Sequence, residues 1–238
     1  PRIPDGNIVF RWGCTSNVEA KSIVNSAKAI HLVSDKLGFR KILQEHNLCP
    51  KTWFDVRSWD ITYPCIVRPN VHHQGRHLWK CDNRQELEAA VARCQNGYYI
   101  SEYIPKIAEY RVFVVSGRAV AVAKKTPADE KAIAWNVAQG GRFDNVRWDE
   151  WPLRAVRVAI EGFNLSGLDF GGVDIMEHPD GKTSTILEIN SAPSLTSPYR
   201  QECMAKAFDY IVRNGKDKIP LVNERGGYLK FIHPAISE

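Results

Sequence analysis

Two short runs of apolar and β-branched residues, separated by a turn, form the clearest pattern in the chain. The runs cover residues 173–177 and 183–190. Between them, residues 178–182 read His-Pro-Asp-Gly-Lys, a composition typical of a tight turn. The pattern therefore predicts a β-hairpin.

The polar residues of this hairpin are predicted to share one face. Side chains alternate along a strand, so Glu188 and Asn190 should lie on one face, with Leu187 and Ile189 on the other. Folding about the turn sets Asp174 opposite position 187 or 188. Two carboxylates and an amide oxygen that converge are suitable ligands for Mg²⁺. The simpler alternative is a solvated outer face with ordinary polar residues.

The rest of the pattern mixes helices and strands. Apolar residues at helical spacing predict helices over residues 84–93, 151–163 and 201–214, and one that begins at Ser34 or Asp35 and ends before Pro50. Apolar runs predict strands over residues 7–13, 63–68, 98–104, 110–115 and 118–124, and residues 132–137 form another apolar run. The order lacks regular βαβ alternation, so we predict an α+β fold.

Composition narrows the class of protein. The chain has 238 residues, of which 44% are hydrophobic and 25% charged, as in a globular protein with a sizeable core. No run is long enough for a membrane span and no signal-peptide pattern is visible, so we expect a soluble, cytoplasmic protein. Six cysteines without a Cys-x-x-Cys pair indicate free thiols, not a zinc site or a disulfide framework. The net charge of +5 fits either a polyanion or a phosphate-binding cleft.

Basic residues at four places precede the acidic hairpin. They are Lys36, Arg68, Arg111 and the pair at 124–125. A bound nucleotide needs such groups to balance its phosphates. Each alone is more typical of a solvated surface.

A series of short motifs lies in order along about residues 34–195. They are Ser34-Asp-Lys36 with Pro50-Lys-Thr52, Pro64-Cys-Ile-Val-Arg-Pro69, Ile100-Ser-Glu-Tyr-Ile104, Glu109-Tyr-Arg-Val-Phe113, Asn136-Val-Ala-Gln-Gly-Gly141, and Gly172-Val-Asp-Ile175 with Leu187-Glu-Ile-Asn-Ser-Ala-Pro193. Taken in this order, the motifs resemble those of the ATP-grasp superfamily, and most closely its branch of carboxylate–amine ligases that includes the ribosomal-protein glutamate ligases.

The resemblance implies an ATP-grasp fold, with two α/β lobes and the nucleotide between two antiparallel sheets. It divides the chain into a reduced amino-terminal segment (1–33), a small lobe with a lid loop (34–104), a large lobe with the magnesium site (105–215) and a tail (216–238).

The resemblance also implies roles for individual residues around ATP. Lys36 and Arg68 would contact its phosphates, and Gly75 and Arg76 would belong to the lid loop. Glu102, Tyr103 and Ile104 would line the adenine pocket. Glu109 would lie near the ribose.

The remaining implied roles concern catalysis and the metal. Arg111, Lys125 and Asn136 would face the γ-phosphate or an acyl-phosphate. Asp174, Glu188 and Asn190 would hold Mg²⁺, with Mn²⁺ as an alternative metal.

The chemistry that follows is ATP-dependent ligation of a carboxylate to an amine through an acyl-phosphate, with release of ADP and phosphate. Charge neutralisation and positioning suffice for such a phosphoryl transfer. The expected partners are small-molecule or peptide carboxylates and amines, and a second copy or another chain that completes the substrate site. The alternatives are a small-molecule kinase on the same fold and, from a different class, a basic nucleic-acid-binding module. The acidic hairpin argues against the latter, because it repels phosphate unless a cation intervenes.

Three features depart from the family pattern. Position 68 is Arg where Lys is common, and Arg offers a forked donor in place of a point charge. The loop at 70–77 has one glycine where several are usual, and we expect the amino-terminal domain to be nearly absent, because only 33 residues precede the first matching motif.

Overall fold

The computed structural model describes residues 6–70, 78–129, 132–133, 135 and 140–216. The elements within them are β1 (Ile8–Phe10), β2 (Ser22–Val24), α1 (Ala27–Ser34), α2 (Lys36–Glu45), β3 (Thr52–Trp53), β4 (Cys65–Pro69), β5 (Trp79–Cys81), α3 (Arg84–Val91), β6 (Tyr98–Glu102), β7 (Ala108–Val115), β8 (Arg118–Thr126), β9 (Arg142–Asn145), a 3-10 turn (Trp148–Glu150), α4 (Leu153–Ser166), β10 (Phe170–Glu177), β11 (Ser184–Asn190) and α5 (Pro198–Asn214). None of these helices is long and apolar enough to cross a membrane.

The strands form three sheets. A five-stranded antiparallel sheet has the order β11-β10-β7-β8-β9, and a four-stranded antiparallel sheet has the order β3-β6-β4-β5. Strands β1 and β2 pair in parallel as a small third sheet. The predicted hairpins of β7–β8 and β10–β11 are therefore confirmed as neighbours in the larger sheet.

Alternation along the strands gives the five-stranded sheet two different faces. One face carries Val112, Val122, Val173 and Ile175, which are fully buried against α1, α2 and α4. On the other face, α5 covers one end of the sheet through Phe113, Ala121 and Phe170. The uncovered part of that second face carries the polar residues described below.

A separate apolar core supports the four-stranded sheet. Trp53, Val67, Leu87 and Ile100 are buried in it, between the sheet and α3. Helix α2 packs on the five-stranded sheet, whereas residues between 53 and 100 build the smaller core. The division of the chain at residues 34, 105 and 216 stays a prediction.

Helix boundaries differ from the sequence pattern where capping decides them. Asp35 is the N-cap of α2, because its side chain accepts a 3.1 Å hydrogen bond from the Gly38 amide. The preceding helix α1 was not predicted, since its short apolar stripe directly precedes that cap. Helices α4 and α5 begin at Leu153 and Pro198, not at 151 and 201. Strand β6 ends at Glu102, so the predicted strand over 98–104 is two residues too long.

A β-bulge corrects the predicted faces of the second hairpin strand. Asp174 pairs with Glu188, but Ile175 pairs with Ile186, so Leu187 is an extra residue in β11. Ile186 and Ile189 both enter the core, while Leu187 turns away from it to line a cavity. The prediction that Leu187 and Ile189 share a face was therefore wrong, because simple alternation does not hold across a bulge.

Buried Asn25 ties the amino-terminal strands to β10. Its side chain accepts hydrogen bonds from the amides of Asp169 (2.7 Å) and Phe170 (3.0 Å) and donates one to the Phe170 carbonyl (2.9 Å). Its own amide donates to the Asp169 carboxylate at 2.7 Å. Asn25 has a φ of 65°, a value that Asn tolerates better than most residues.

We predict that Asn25→Ala lowers the free energy of unfolding by about 2–4 kcal/mol, because several buried groups lose their partners. Urea denaturation measures this change. Asn25→Gly, which tolerates the positive φ, separates backbone strain from the lost hydrogen bonds. Asn214→Ala, at an exposed helix end, should change the value by at most about 0.5 kcal/mol. Equal, small effects of all three substitutions would contradict the assigned role of Asn25.

Candidate active site

One register row crosses the open face of the five-stranded sheet. It contains, from edge to edge, Glu188, Asp174, Arg111, Ala123 and Asn145. Register partners on adjacent strands have their side chains on the same face. The sheet thus places two acids, a cation, a small residue and an amide side by side, although the chain segments between them are long.

Asp174 is the most strongly paired acid of this row. Its carboxylate accepts hydrogen bonds from Arg111 Nε (2.6 Å) and Nη2 (2.8 Å), and from Lys125 Nζ (2.9 Å). Burial alone would raise the pKa of the Asp174 carboxyl, but the charges and hydrogen bonds of the two cations hold it well below its usual range. Asp174 is therefore a permanent carboxylate at neutral pH.

A second buried acid, Glu109, extends the pairing toward the four-stranded sheet. It is 3% exposed, and its carboxylate accepts hydrogen bonds from both Lys125 and Lys106. Lys106 also donates to the Ile133 carbonyl at 3.0 Å, and its amine lies 4.7 Å from the centre of the Trp135 ring. We call Asp174, Arg111, Lys125, Glu109 and Lys106 the charge cluster.

The lysines of the charge cluster have opposite pKa shifts. Burial disfavours the charged form of Lys125, but Asp174 and Glu109 outweigh it and raise the pKa of that amine. The pKa of Lys106 is lowered, because burial and the charges of Lys125 and Arg68 outweigh the attraction of Glu109.

The proposed metal ligands lie at the β10 edge of the charge cluster. Glu188 is directly opposite Asp174 and forms a 3.2 Å ion pair with Lys36, and Asn190 follows two residues later. In the part of the chain that the structure describes, no three His, Cys, Asp or Glu side chains form a metal cluster. The two carboxylates with an adjacent amide oxygen nevertheless fit a hard cation that takes its other ligands from water and phosphate.

A cavity of about 230 Å³ lies between the two larger sheets, beside the charge cluster. Residues from both sheets line it, as a bound nucleotide would require. They include Arg40, Arg68, Glu102, Tyr103, Ile104, Lys106, Trp135, Met176 and Leu187. The residues predicted for the adenine pocket, Glu102, Tyr103 and Ile104, therefore share one cavity with Arg68, which is predicted to contact the phosphates. Gly75, Arg76 and Asn136 lie outside the described residues.

Two residues of this region were missed from the sequence. Buried Arg40 donates to the carbonyls of Ile186 (3.3 Å) and Leu187 (2.7 Å), and so supports the bulge that precedes Glu188. Lys106 donates a hydrogen bond to the Glu109 carboxylate. Arg40 lies inside an ordinary amphipathic helix and gave no signal. Lys106 could have been noticed, because it follows the predicted adenine-binding segment after only one residue.

Comparison with known proteins places these features in a family. A family model described as the RimK-like ATP-grasp domain matches residues 51–209, which is more than half of the chain. The chain belongs to the RimK-like ATP-grasp family. This membership confirms the predicted superfamily, the α+β ATP-grasp fold and the class of ATP-dependent carboxylate–amine ligases, and it leaves the nucleic-acid-binding module without support.

Relatives of this ATP-grasp chain are named as ligases. A probable alpha-L-glutamate ligase 2 of Hahella chejuensis is 28% identical over 92% of this chain and 77% of that protein. The tetrahydromethanopterin:alpha-L-glutamate ligase of Methanocaldococcus jannaschii is 33% identical over 42% of this chain. The chain covers 33% of the length of that relative, and 44% of a probable alpha-L-glutamate ligase from Parasynechococcus marenigrum.

Solved structures share the fold at low identity. D-alanine–D-alanine ligase from Bacillus anthracis, complexed with ATP, has a TM-score of 0.60 at 16% identity, covering 81% of this chain and 69% of that one. The ATP-grasp ligase PsnB, complexed with a minimal precursor, Mg and ADP, has a TM-score of 0.55 at 17% identity, covering 78% and 62%. This likeness shows the fold of the chain.

We predict that Lys125→Met lowers the free energy of unfolding by about 3–5 kcal/mol, because Asp174 and Glu109 lose a buried cation. The matched control is Lys124→Met, which changes the adjacent, exposed lysine and should cost at most about 0.5 kcal/mol. Urea denaturation at pH 7 compares the two variants. Equal effects would show that Lys125 does not balance the buried acids.

We also predict a pH effect from His178, at the turn of the β10–β11 hairpin. Burial lowers the pKa of His178, against the opposing charges of Asp180 and Glu102. A histidine with a lowered pKa contributes fully to stability above its unfolded pKa, near 6.5, and this contribution is lost as the pH falls below that value. His178→Asn should therefore make the unfolding free energy less dependent on pH between about 7 and 5. The slope of the unfolding free energy against pH should differ between variant and wild type by well below about 1.4 kcal/mol per pH unit. An unchanged pH dependence would contradict this prediction.

Proposed function

We propose that this chain is an ATP- and Mg²⁺-dependent ligase that joins a carboxylate to an amine through an acyl-phosphate. The observation that carries the proposal is the position of the charge cluster. Its acids and cations lie side by side at the edge of a cavity that both larger sheets line. Such an arrangement can hold a polyphosphate and its counter-ion without direct repulsion between like charges.

In this proposal the cavity binds ATP. The backbone from Glu102 to Ile104 would contact the adenine edge, and Glu109 would face the ribose. Arg68 would contact a phosphate, since its Nε is buried without a hydrogen-bond partner among the described residues. Lys36, at the start of α2, would be a second phosphate contact, and the lid-loop residues Gly75 and Arg76 keep their proposed roles.

The metal site would be formed by Asp174, Glu188 and Asn190. A bound Mg²⁺, or Mn²⁺ in its place, neutralises phosphate charge and orients the transferring phosphoryl group. Asp174 is suited to this role because its low pKa keeps the carboxylate ionised. Because Arg111 and Lys125 donate hydrogen bonds to Asp174, both cations would lie close to a phosphate held by that metal.

Arg111, Lys125 and Asn136 would act on the reacting atoms. A carboxylate oxygen of the substrate attacks the γ-phosphorus and the bond to ADP breaks, which gives the acyl-phosphate. The amine then attacks the acyl carbon, phosphate leaves, and the amine nitrogen loses a proton as the amide forms. Arg111 and Lys125 would stabilise the oxygen charge in both steps.

The substrates are proposed to be amino acids or peptides, in line with the relatives that are named glutamate ligases. A second copy of the chain, or another chain, could complete the substrate site, and sedimentation with and without substrate would detect it. Free cysteines and the need for ATP support the predicted cytoplasmic location.

We predict that Asp174→Asn and Glu188→Gln each reduce carboxylate-dependent ADP release by about 10- to 100-fold or more, because each removes a proposed metal ligand. The assay incubates the chain with Mg-ATP and a pool of amino acids, short peptides and small carboxylic acids. ADP is followed by a coupled assay and products by mass. Glu161→Gln, on the exposed face of α4, is the control and should retain activity.

Hydroxylamine separates the ligase from the kinase alternative. Trapping of an acyl hydroxamate supports an acyl-phosphate, whereas a stable phosphate ester on a hydroxyl acceptor identifies a kinase. Undiminished ADP release by both acidic-residue variants would contradict the metal assignment.

A further inference from the structure

A buried arginine next to the charge cluster has no acidic partner among the residues that the structure describes. Arg200, in the first turn of α5, is 2% exposed. Its Nη1 donates to Asn145 Oδ1 at 3.0 Å and its Nη2 to Thr196 Oγ1 at 3.2 Å. Its Nε is buried without a hydrogen-bond partner in the described part of the chain. Within the described residues, two of the five N–H groups are thus used, both on neutral oxygens.

Asp144, the acid whose charge acts on Arg200, is already hydrogen-bonded to other groups. Asp144 accepts hydrogen bonds from Thr126 (2.6 Å) and Arg142 (3.0 Å), and it forms no ion pair with Arg200. Burial and the charge of Arg111 lower the pKa of Arg200, and Asp144 opposes them only in part. A buried cation without a counter-ion is costly, so an anion that arrives with a ligand would be bound strongly.

The sheet register shows where such an anion would lie. Arg111 and Asn145 belong to the same row and are separated by Ala123, so two strand spacings, about 10 Å, lie between their backbones. The guanidinium groups of Arg111 and Arg200 lie 4.8 and 5.7 Å from the centre of the same Phe143 ring. Arg200 therefore borders the charge cluster on the side away from Asp174 and Glu188.

Helix α5 adds amide donors at this position. Its N-cap residue, Ser197, forms no side-chain cap hydrogen bond within the described structure, and instead accepts one from Asn145 Nδ2 at 2.9 Å. The amino end of a 17-residue helix favours negative charge. The uncapped helix end and the unpartnered Arg200 Nε both point to an anionic ligand.

We propose that Arg200 and the amino end of α5 bind the free carboxylate of an α-amino acid that serves as the amine substrate. The proposal rests on the ligase function given above. The carboxylate to be activated must reach the phosphoryl group beside Arg111 and Lys125, so a second carboxylate-binding position on the far side of Arg111 suits the acceptor. A guanidinium matches a carboxylate with two parallel hydrogen bonds, which fixes the direction of the amine toward the acyl carbon.

Equilibrium binding tests this proposal without turnover. The full chain, saturated with Mg-ADP, is titrated by calorimetry with each of the twenty standard amino acids, and then with the carboxamide of every amino acid that binds. We expect at least one amino acid to bind, and its carboxamide to bind at least about tenfold more weakly, because a charged hydrogen-bonded contact is lost. This comparison uses the unchanged protein and so does not depend on the folding of a variant.

Variants locate the contact. Arg200→Gln should weaken amino-acid binding by at least about tenfold, and Arg200→Lys should restore part of it. Arg213→Gln, which breaks an exposed ion pair with Asp209 at the other end of α5, is the matched control and should bind normally. Affinity for Mg-ADP should be the same in all these proteins.

Three outcomes would overturn the proposal. They are equal binding of acid and carboxamide, no amino acid bound by a wild-type chain that binds Mg-ADP, and a loss of binding in Arg11→Gln but not in Arg200→Gln. Arg11 is the relevant comparison because it is also buried and has two nitrogens without partners among the described residues. Failure of the wild-type chain to bind Mg-ADP would instead count against the ligase function itself.

Discussion

The buried pairing of Asp174 with Arg111 and Lys125 is the interaction on which the rest of the site depends. It joins three neighbouring strands of one sheet, and it exists only because the register sets Asp174 beside Arg111. A shift of one residue in either strand would turn one partner into the apolar core on the opposite face. The apolar alternation of β7, β8 and β10, which packs valines in the core on the opposite face, therefore positions the charges.

The bulge in β11 solves a related geometric problem. The strand must bury Ile186 and Ile189 in the core and still present Glu188 beside Asp174. Regular alternation cannot satisfy both demands, whereas one extra residue can. That residue, Leu187, then lines the cavity between the sheets, and Arg40 donates to its carbonyl. The same local irregularity shapes the edge of the charge cluster and one wall of the cavity.

The sequence predicted what short-range patterns encode. The hairpin from residue 173 to 190, the placement of Asp174 opposite position 187 or 188 and the ATP-grasp motifs all depend on neighbours in the chain or on known residue order. The bulge and the contacts of Arg40 and Lys106 depend on tertiary packing. An arginine within an amphipathic helix reads as a surface residue until the strand against which it packs is known. The hydrophobic pattern of the sequence therefore could not predict which charged side chains are buried.

Burial also separates the cations of this site into two groups. Arg111, Lys125 and Lys106 are each ion-paired with Asp174 or Glu109, so two of their three positive charges are compensated within the protein before any ligand binds. Arg200 has only neutral partners, and Arg68 retains an unpartnered Nε, within the residues that the structure describes. A fold that compensates some buried cations and not others sets up differences in anion affinity along one face. Arg68 lines the cavity between the sheets, whereas Arg200 shares the Phe143 ring with Arg111, so in the proposed ligase the two arginines would bind different anionic groups of the reacting assembly.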